Sequence, residues 1–181
     1  SPAAEAAGRV WGGPGRPAGP AMRGPQPDCA NVRGRRIDKT IGEDAPVQGV
    51  SGNAAQYFVD RHVARGIGDK TAFLESGGKG RTITYAGLAD ATDRMVGLYR
   101  RHGIRREDRA VMIVLDTVEF PVVFWGSLKA GVIPIPVNTL LSADLFLAIL
   151  RDARAKALFV SAELLETVAP ILDQAPDLVS V

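Results

Sequence analysis

Cysteine and histidine are scarce in this sequence, and each scarcity removes a class of function. Cys29 is the only cysteine, so no intramolecular disulfide and no multi-cysteine metal site can form, which accords with a reducing compartment. The two histidines, His62 and His102, have no second His or Cys at metal-ligand spacing. His62 is expected at a helix edge. His102 is expected near a helix C-terminus, where the macrodipole favours its charged form. Neither reads as catalytic. No serine lies in a G-x-S-x-G elbow. No apolar run approaches the roughly 18 residues that span a bilayer, and the opening residues lack the apolar core of a secretory signal. A cytoplasmic protein without membrane contact is the expectation.

An excess of charge is also missing from most of the chain. Residues 51–181 hold fifteen Lys/Arg against fifteen Asp/Glu, and residues 1–50 hold seven against five. The net charge of +2 therefore comes from the start. The short basic run Arg33 to Arg36 reads as a solvated stretch, and no nucleic-acid partner is expected. Nucleic-acid contact through this basic start is kept as an alternative. Residues 1–52 contain ten of the 20 glycines and seven of the 12 prolines, with Trp11 as their one aromatic residue. Such a segment buries too little apolar surface to offset its ordering entropy, so it is expected to be a disordered tail.

What is present begins at Asn53, an N-cap for a helix that carries Ala55, Phe58, Val59, His62 and Val63 at helical spacing and stops near Gly66. "TAFLE" and "RTITY" flank "SGGKG" and read as a β-hairpin. The glycines and Lys79 invite a phosphate-loop reading, but the spacing of a Walker loop fails, and a hairpin turn explains them. Thr84 caps a longer helix with the apolar stripe Leu88, Met95, Val96 and Tyr99, ending at His102 and Gly103.

From there strands and helices alternate: a strand near Val111 to Leu115, a helix from about Glu119 to Ala130, a strand from Ile133 to Val137, a helix from about Ala143 to Ala153, a strand near Leu158, and a helix from Ala162. Short apolar strands separated by helices mark βαβ units, so the fold class is α/β with a mainly parallel sheet. The unbroken apolar run "VMIVL" fits a strand covered on both faces. Pro134 and Pro136 are two apart in a strand and so delete hydrogen-bond donors on one side only, which places them at an edge, a bulge or an irregular neighbour. Gly131 is the left-handed helix stop before that strand. Asp116 and Glu119 follow a buried strand at its carboxyl end, where ligands lie in open α/β sheets. Yet "DTVE" also reads as a capping box, and Pro121 marks a helix start, so capping is the preferred role.

Two stretches carry a family resemblance. "ITYAGL", Ile83 to Leu88, resembles the first core motif of adenylate-forming enzymes, with Gly87 in place of the usual Glu. "LKAGVIPIPVN", Leu128 to Asn138, resembles their second. The passage "LDTVEFPVVFWGSLKAGVIPIPVNTLLSAD" and the later "RDARAKALFVS" are similar to the aryl-CoA ligase branch, benzoate-CoA ligases above all. The resemblance implies that residues 53–181 are the truncated N-terminal portion of an AMP-dependent synthetase/ligase domain. It further implies a parent enzyme that uses ATP and Mg²⁺ to turn a small-molecule carboxylic acid into an acyl-adenylate and then transfers the acyl group to CoA.

The family's phosphate loop, Thr-Gly-Asp ribose contact and C-terminal lysine have no counterpart in this sequence. The resemblance therefore assigns no catalytic, cofactor-binding or metal-binding residue here, and no cofactor to this fragment alone, which is expected to be inactive. A non-catalytic binding or interaction module on the same scaffold is the rival reading. The acid substrate and oligomeric state stay open.

Overall fold

The computed structural model describes residues 52–76 and 80–181. The expected disordered tail, apart from Gly52, and the centre of the "SGGKG" turn lie outside the described residues.

The centre of the fold is β3 (Arg109–Ile113), which pairs in parallel with β4 (Ile133–Pro136) on one side and β5 (Ala157–Val160) on the other. Because side chains alternate across a strand, β3 feeds two cores. Ala110 and Met112, continued by Val114, face α2 (Tyr85–Arg101) and α3 (Glu119–Ala130), where Met95, Tyr99, Val123 and Val132 close the layer. Val111 and Ile113 face α4 (Ala143–Asp152) and the C-terminal turns, meeting Phe146, Leu150, Leu158 and Val168. The expectation of a parallel α/β sheet with a doubly covered central strand is met.

β4 is the edge of this sheet, and its register explains its prolines. Ile133 donates to Asp108 O at 2.8 Å and Val137 to Met112 O at 3.0 Å, so the odd positions face β3. Pro134 and Pro136 turn to the open side, where a missing N–H costs no ladder bond. At the other edge, Ser180 makes an isolated parallel bridge to Ala157. Gly131 holds φ of 77°, the left-handed stop anticipated, and lets Val132 turn back to Ser127 O.

α2 begins where Thr84 Oγ1 accepts the Gly87 N–H at 3.1 Å. Leu88, Met95 and Tyr99 of the expected stripe are buried, joined by Ala91 and Thr92, while Val96 is half-buried. α2 lies so close to α3 that a Cβ on Gly126 would stand 2.6 Å from Met95 Cβ. β1 (Thr71–Leu74) and β2 (Thr82–Thr84) form the expected antiparallel pair as a separate ribbon with a bulge between Thr71 and Phe73.

Three local expectations need correction. The first helix starts as read, with Asn53 Oδ1 accepting the Ala55 N–H at 2.9 Å, but continues as a π-helical turn over Gln56–Asp60 before α1 (Arg61–Ala64). A π turn holds more than 3.6 residues, so the counted stripe slips: Ala55 and Val59 are buried, whereas Phe58 is 51% exposed. The segment after Ala162 is three short pieces, a 3₁₀ turn, α5 (Leu165–Val168) and a second 3₁₀ turn over Ala169–Gln174. Pro170 has no N–H to continue a helix there. The third lies at the start of α3, where the capping box expected of "DTVE" does not form.

Two glycine-to-alanine changes should move stability in opposite directions. Gly126→Ala forces α2 and α3 apart and should cost about 1–3 kcal/mol. Gly97→Ala, mid-helix and meeting only the mobile end of Arg101, should add about 0.5–1 kcal/mol. Urea unfolding midpoints of the two variants check this.

Candidate functional site

Beyond the carboxyl ends of β3 and β4 lies a cleft of about 200 Å³ lined by Val114, Leu115, Asp116, Phe120, Val137, Asn138 and Thr139. This is the position at which open parallel sheets take ligands. Asp116 stands exposed at its rim, and Phe120 forms a wall from the first turn of α3. Asn138 is held by its own turn, its Oδ1 accepting the Leu140 N–H at 3.0 Å. That turn leaves Leu140 90% exposed beside the cleft.

The two carboxylates singled out in the sequence do not act together, and they do not form a capping box. The N-cap of α3 is Val118, already helical in conformation and without a side-chain cap of its own. A tight turn, Thr117 N–H to Leu115 O at 2.7 Å, delays the helix past Asp116. The cap comes instead from a distant residue: Glu75, at the end of β1, accepts the Val118 N–H on Oε1 at 3.0 Å. Glu119 turns away from Asp116 toward Arg81.

Arg81 forks onto both glutamates. Its Nη2 and Nε donate to Glu75 at 2.6 and 3.1 Å, and its Nη1 and Nη2 donate to Glu119 at 2.6 and 2.8 Å. Those bonds, with the Val118 amide, hold the Glu75 carboxyl below its usual range. Burial works against the charged form of Glu119, but Arg81 and Thr117 outweigh it and lower its pKa too. The Arg81 guanidinium is pushed further up.

At the other end of α3, Lys129 joins three elements. Its Nζ donates to Asp60 at 2.8 Å and lies 2.7 Å from Asp93 of α2, with the side chain 15% exposed. Desolvation opposes its charge, yet the two aspartates raise its pKa on balance. Asn53 Nδ2 donates to Leu128 O at 2.9 Å, a carbonyl that also accepts the Gly131 N–H at 3.0 Å, and so ties the N-terminal helix to the end of α3. Between these ends Ser127 donates to Val123 O at 2.6 Å and meets the buried Tyr99 hydroxyl at 2.6 Å. Burial pushes the Tyr99 hydroxyl up to about 12, so it stays protonated and structural. The second resembling motif thus includes a helix end tied to Asn53, Asp60 and Asp93.

The histidines lie apart. His62 packs against Tyr85 with ring centroids 4.2 Å apart and the rings tilted by 41°, and burial, then the charges of Arg61, Arg65 and Lys70, lower its pKa. His102 meets Ser180 Oγ at 3.0 Å. Among the described residues no group of three or more His, Cys, Asp or Glu could hold a metal ion. The cleft is lined by no cationic side chain that could face a triphosphate. The lining of this cleft therefore does not fit a Mg²⁺–nucleotide complex. No described helix is long and apolar enough to cross a membrane.

A parallel α/β scaffold with a proline-bearing edge strand, a tied-down helix stop and a cleft at the strand ends without a cationic side chain is the class of fold defined so far. Residues 59–181 match the family profile described as AMP-binding enzyme. The chain belongs to that family. It is 40% identical over 123 residues to a 4-hydroxybenzoate–CoA/benzoate–CoA ligase of Rhodopseudomonas palustris, covering 68% of this chain and 22% of the relative. To a benzoate–CoA ligase of Thauera aromatica it is 37% identical over 127 residues, covering 70% of this chain and 24% of the relative. The solved benzoate CoA ligase of Burkholderia xenovorans LB400 superposes with a TM-score of 0.63 at 32% identity, over 68% of this chain and 24% of that one. The chain spans less than a quarter of the length of the curated relatives named here.

Two outcomes test the ion pairs. Lys129→Met strands Asp60 and Asp93 at a partly buried junction and should cost about 1–2 kcal/mol in urea unfolding. The lowered folded pKa values of Glu75 and Glu119 mean that their stabilisation is present above the ordinary carboxylate pKa of 4.5 and is lost as pH falls below it. The urea midpoint should therefore drop between about pH 4.5 and pH 3, and drop less in Arg81→Met.

Proposed function

We infer that residues 53–181 are the N-terminal part of an aryl-CoA ligase domain, whose whole protein activates an aromatic carboxylic acid with ATP and Mg²⁺ and passes the acyl group to CoA. The observation that carries this reading is the agreement of the helix stop and edge strand, Leu128 to Asn138, with the stretch that resembles the family's second motif. It sits inside a segment 40% identical to a benzoate-activating ligase. Adenylation makes the acid's oxygen a good leaving group, and stabilising the phosphate charge in that step needs cationic and backbone donors aimed at it. No cationic side chain of the described residues lines the cleft. The 181-residue chain alone is accordingly inactive in adenylation, its part being to pack against and shape the groups that hold nucleotide and acid.

Benzoate supports this reading as the acid to try first, because the relatives named above act on benzoate or hydroxybenzoate. A chimera tests it: residues 53–181 replace the matching segment of the Rhodopseudomonas palustris ligase, and ATP–pyrophosphate exchange with benzoate is measured. Exchange by the chimera, with background rates for the 181-residue chain alone, is expected. A folded but inactive chimera would count against the aryl-CoA ligase reading. Exchange by the chain alone would overturn its inactivity.

A further inference from the structure

The ribbon of β1 and β2 has little apolar surface holding it down. Along β1 Thr71 is exposed, Ala72 half-buried, Phe73 and Leu74 exposed. A two-stranded ribbon of this kind is marginal without outside support. Its attachment to the start of α3 runs through charge. Glu75 and Arg81 stand opposite each other at the turn end of the ribbon, where the Glu75 N–H donates to Arg81 O at 2.9 Å. Both arms of the Arg81 fork are engaged: Nε and Nη2 on Glu75, Nη1 and Nη2 on Glu119. The same Glu75 carboxylate also takes the Val118 N–H that α3 has no cap of its own to satisfy.

We propose that the ribbon is a strap and Arg81 its pin: forked between Glu75 and Glu119, it holds Glu75 on the start of α3 and so keeps in place the helical turn that carries the Phe120 wall of the cleft. Bidentate charge-assisted bonds give this pin its geometry. Arg81 and Glu119 are each 45% exposed, so salt reaches them. When the pin opens, Val118 loses its acceptor, the turn end of the ribbon frays, and the first turn of α3 is free to shift Phe120. β3, buried between two cores, does not take part. The strap is thus a locally opening unit, separate from global unfolding. This inference is independent of which acid the whole protein activates.

Hydrogen exchange on the 181-residue chain, read at single amides, tests it. In Arg81→Met the amides of Glu75 and Val118 should exchange about tenfold faster or more, while Val111 to Ile113 in β3 keep their wild-type rates. Glu119→Gln, which removes one arm, should give a smaller acceleration at the same two amides. Raising NaCl from about 0.05 to 1 M should accelerate those amides in the wild type and have no further effect in Arg81→Met. Unchanged rates at Glu75 and Val118 in Arg81→Met would overturn the proposal, as would an increase shared equally by β3. If Arg81→Met does not fold, the salt series on the wild type decides alone, and salt-insensitive exchange at those amides would refute it.

Discussion

Everything in this fold hangs on β3 having a parallel neighbour on each side and a helical layer on each face. A parallel pair forms only with a crossover between its strands, so β3 can be satisfied only if α3 and α4 both pack back onto the sheet. They do so on opposite faces. α3 shares the layer of Ala110 and Met112 with α2, and α4 shares the layer of Val111 and Ile113 with the C-terminal turns. That geometry sends the ends of β3 and β4 toward the same side of the molecule and creates the cleft between Asp116, Phe120 and Asn138.

The second constraint is the closeness of α2 and α3. Gly126 removes the one side chain that would collide with Met95, and the Tyr99–Ser127 contact gives the buried hydroxyls partners in the same seam. Charge then locks both ends of α3: Arg81 and Glu75 at its start, Lys129 with Asp60 and Asp93 at its finish. A helix fixed at both ends and pressed against its neighbour defines where β4 begins. For that reason Gly131 and the alternating prolines can be read as one device: the helix stops, the chain reverses, and the strand emerges with its donors on the inner side only.

Much of this was legible in the sequence because it is local. The bounds of α3, the left-handed Gly131, the Thr84 cap and the edge character of the proline strand each follow from residues within one or two turns of each other. The misreadings share a cause. A 3.6-residue count cannot register the π turn at Gln56–Asp60, and "DTVE" looks like a cap because nothing nearby reveals that Glu75, 43 residues earlier, has taken that place. The ion pairs escaped for the same reason: Arg81 meets Glu119 across 38 positions and Lys129 meets Asp60 across 69. A short polar side chain at a helix start advertises capping, whereas a charged residue in a ribbon carries no mark of its distant partner. Of the candidate site, the position after β3 was readable, but its lining by Asn138 and Thr139 depends on two strands lying side by side.

The membership of this chain in the AMP-binding enzyme family rests on the same segment that builds the sheet, residues 59–181. Its scaffold is therefore the most direct thing to measure. Backbone nuclear Overhauser contacts in the isotope-labelled chain would show Val111 of β3 beside Ile135 of β4 and Leu158 of β5 in the parallel pattern, with the Pro134 and Pro136 rings facing away from β3. An antiparallel pattern at either pair, or Pro134 and Pro136 turned inward toward β3, would contradict the account.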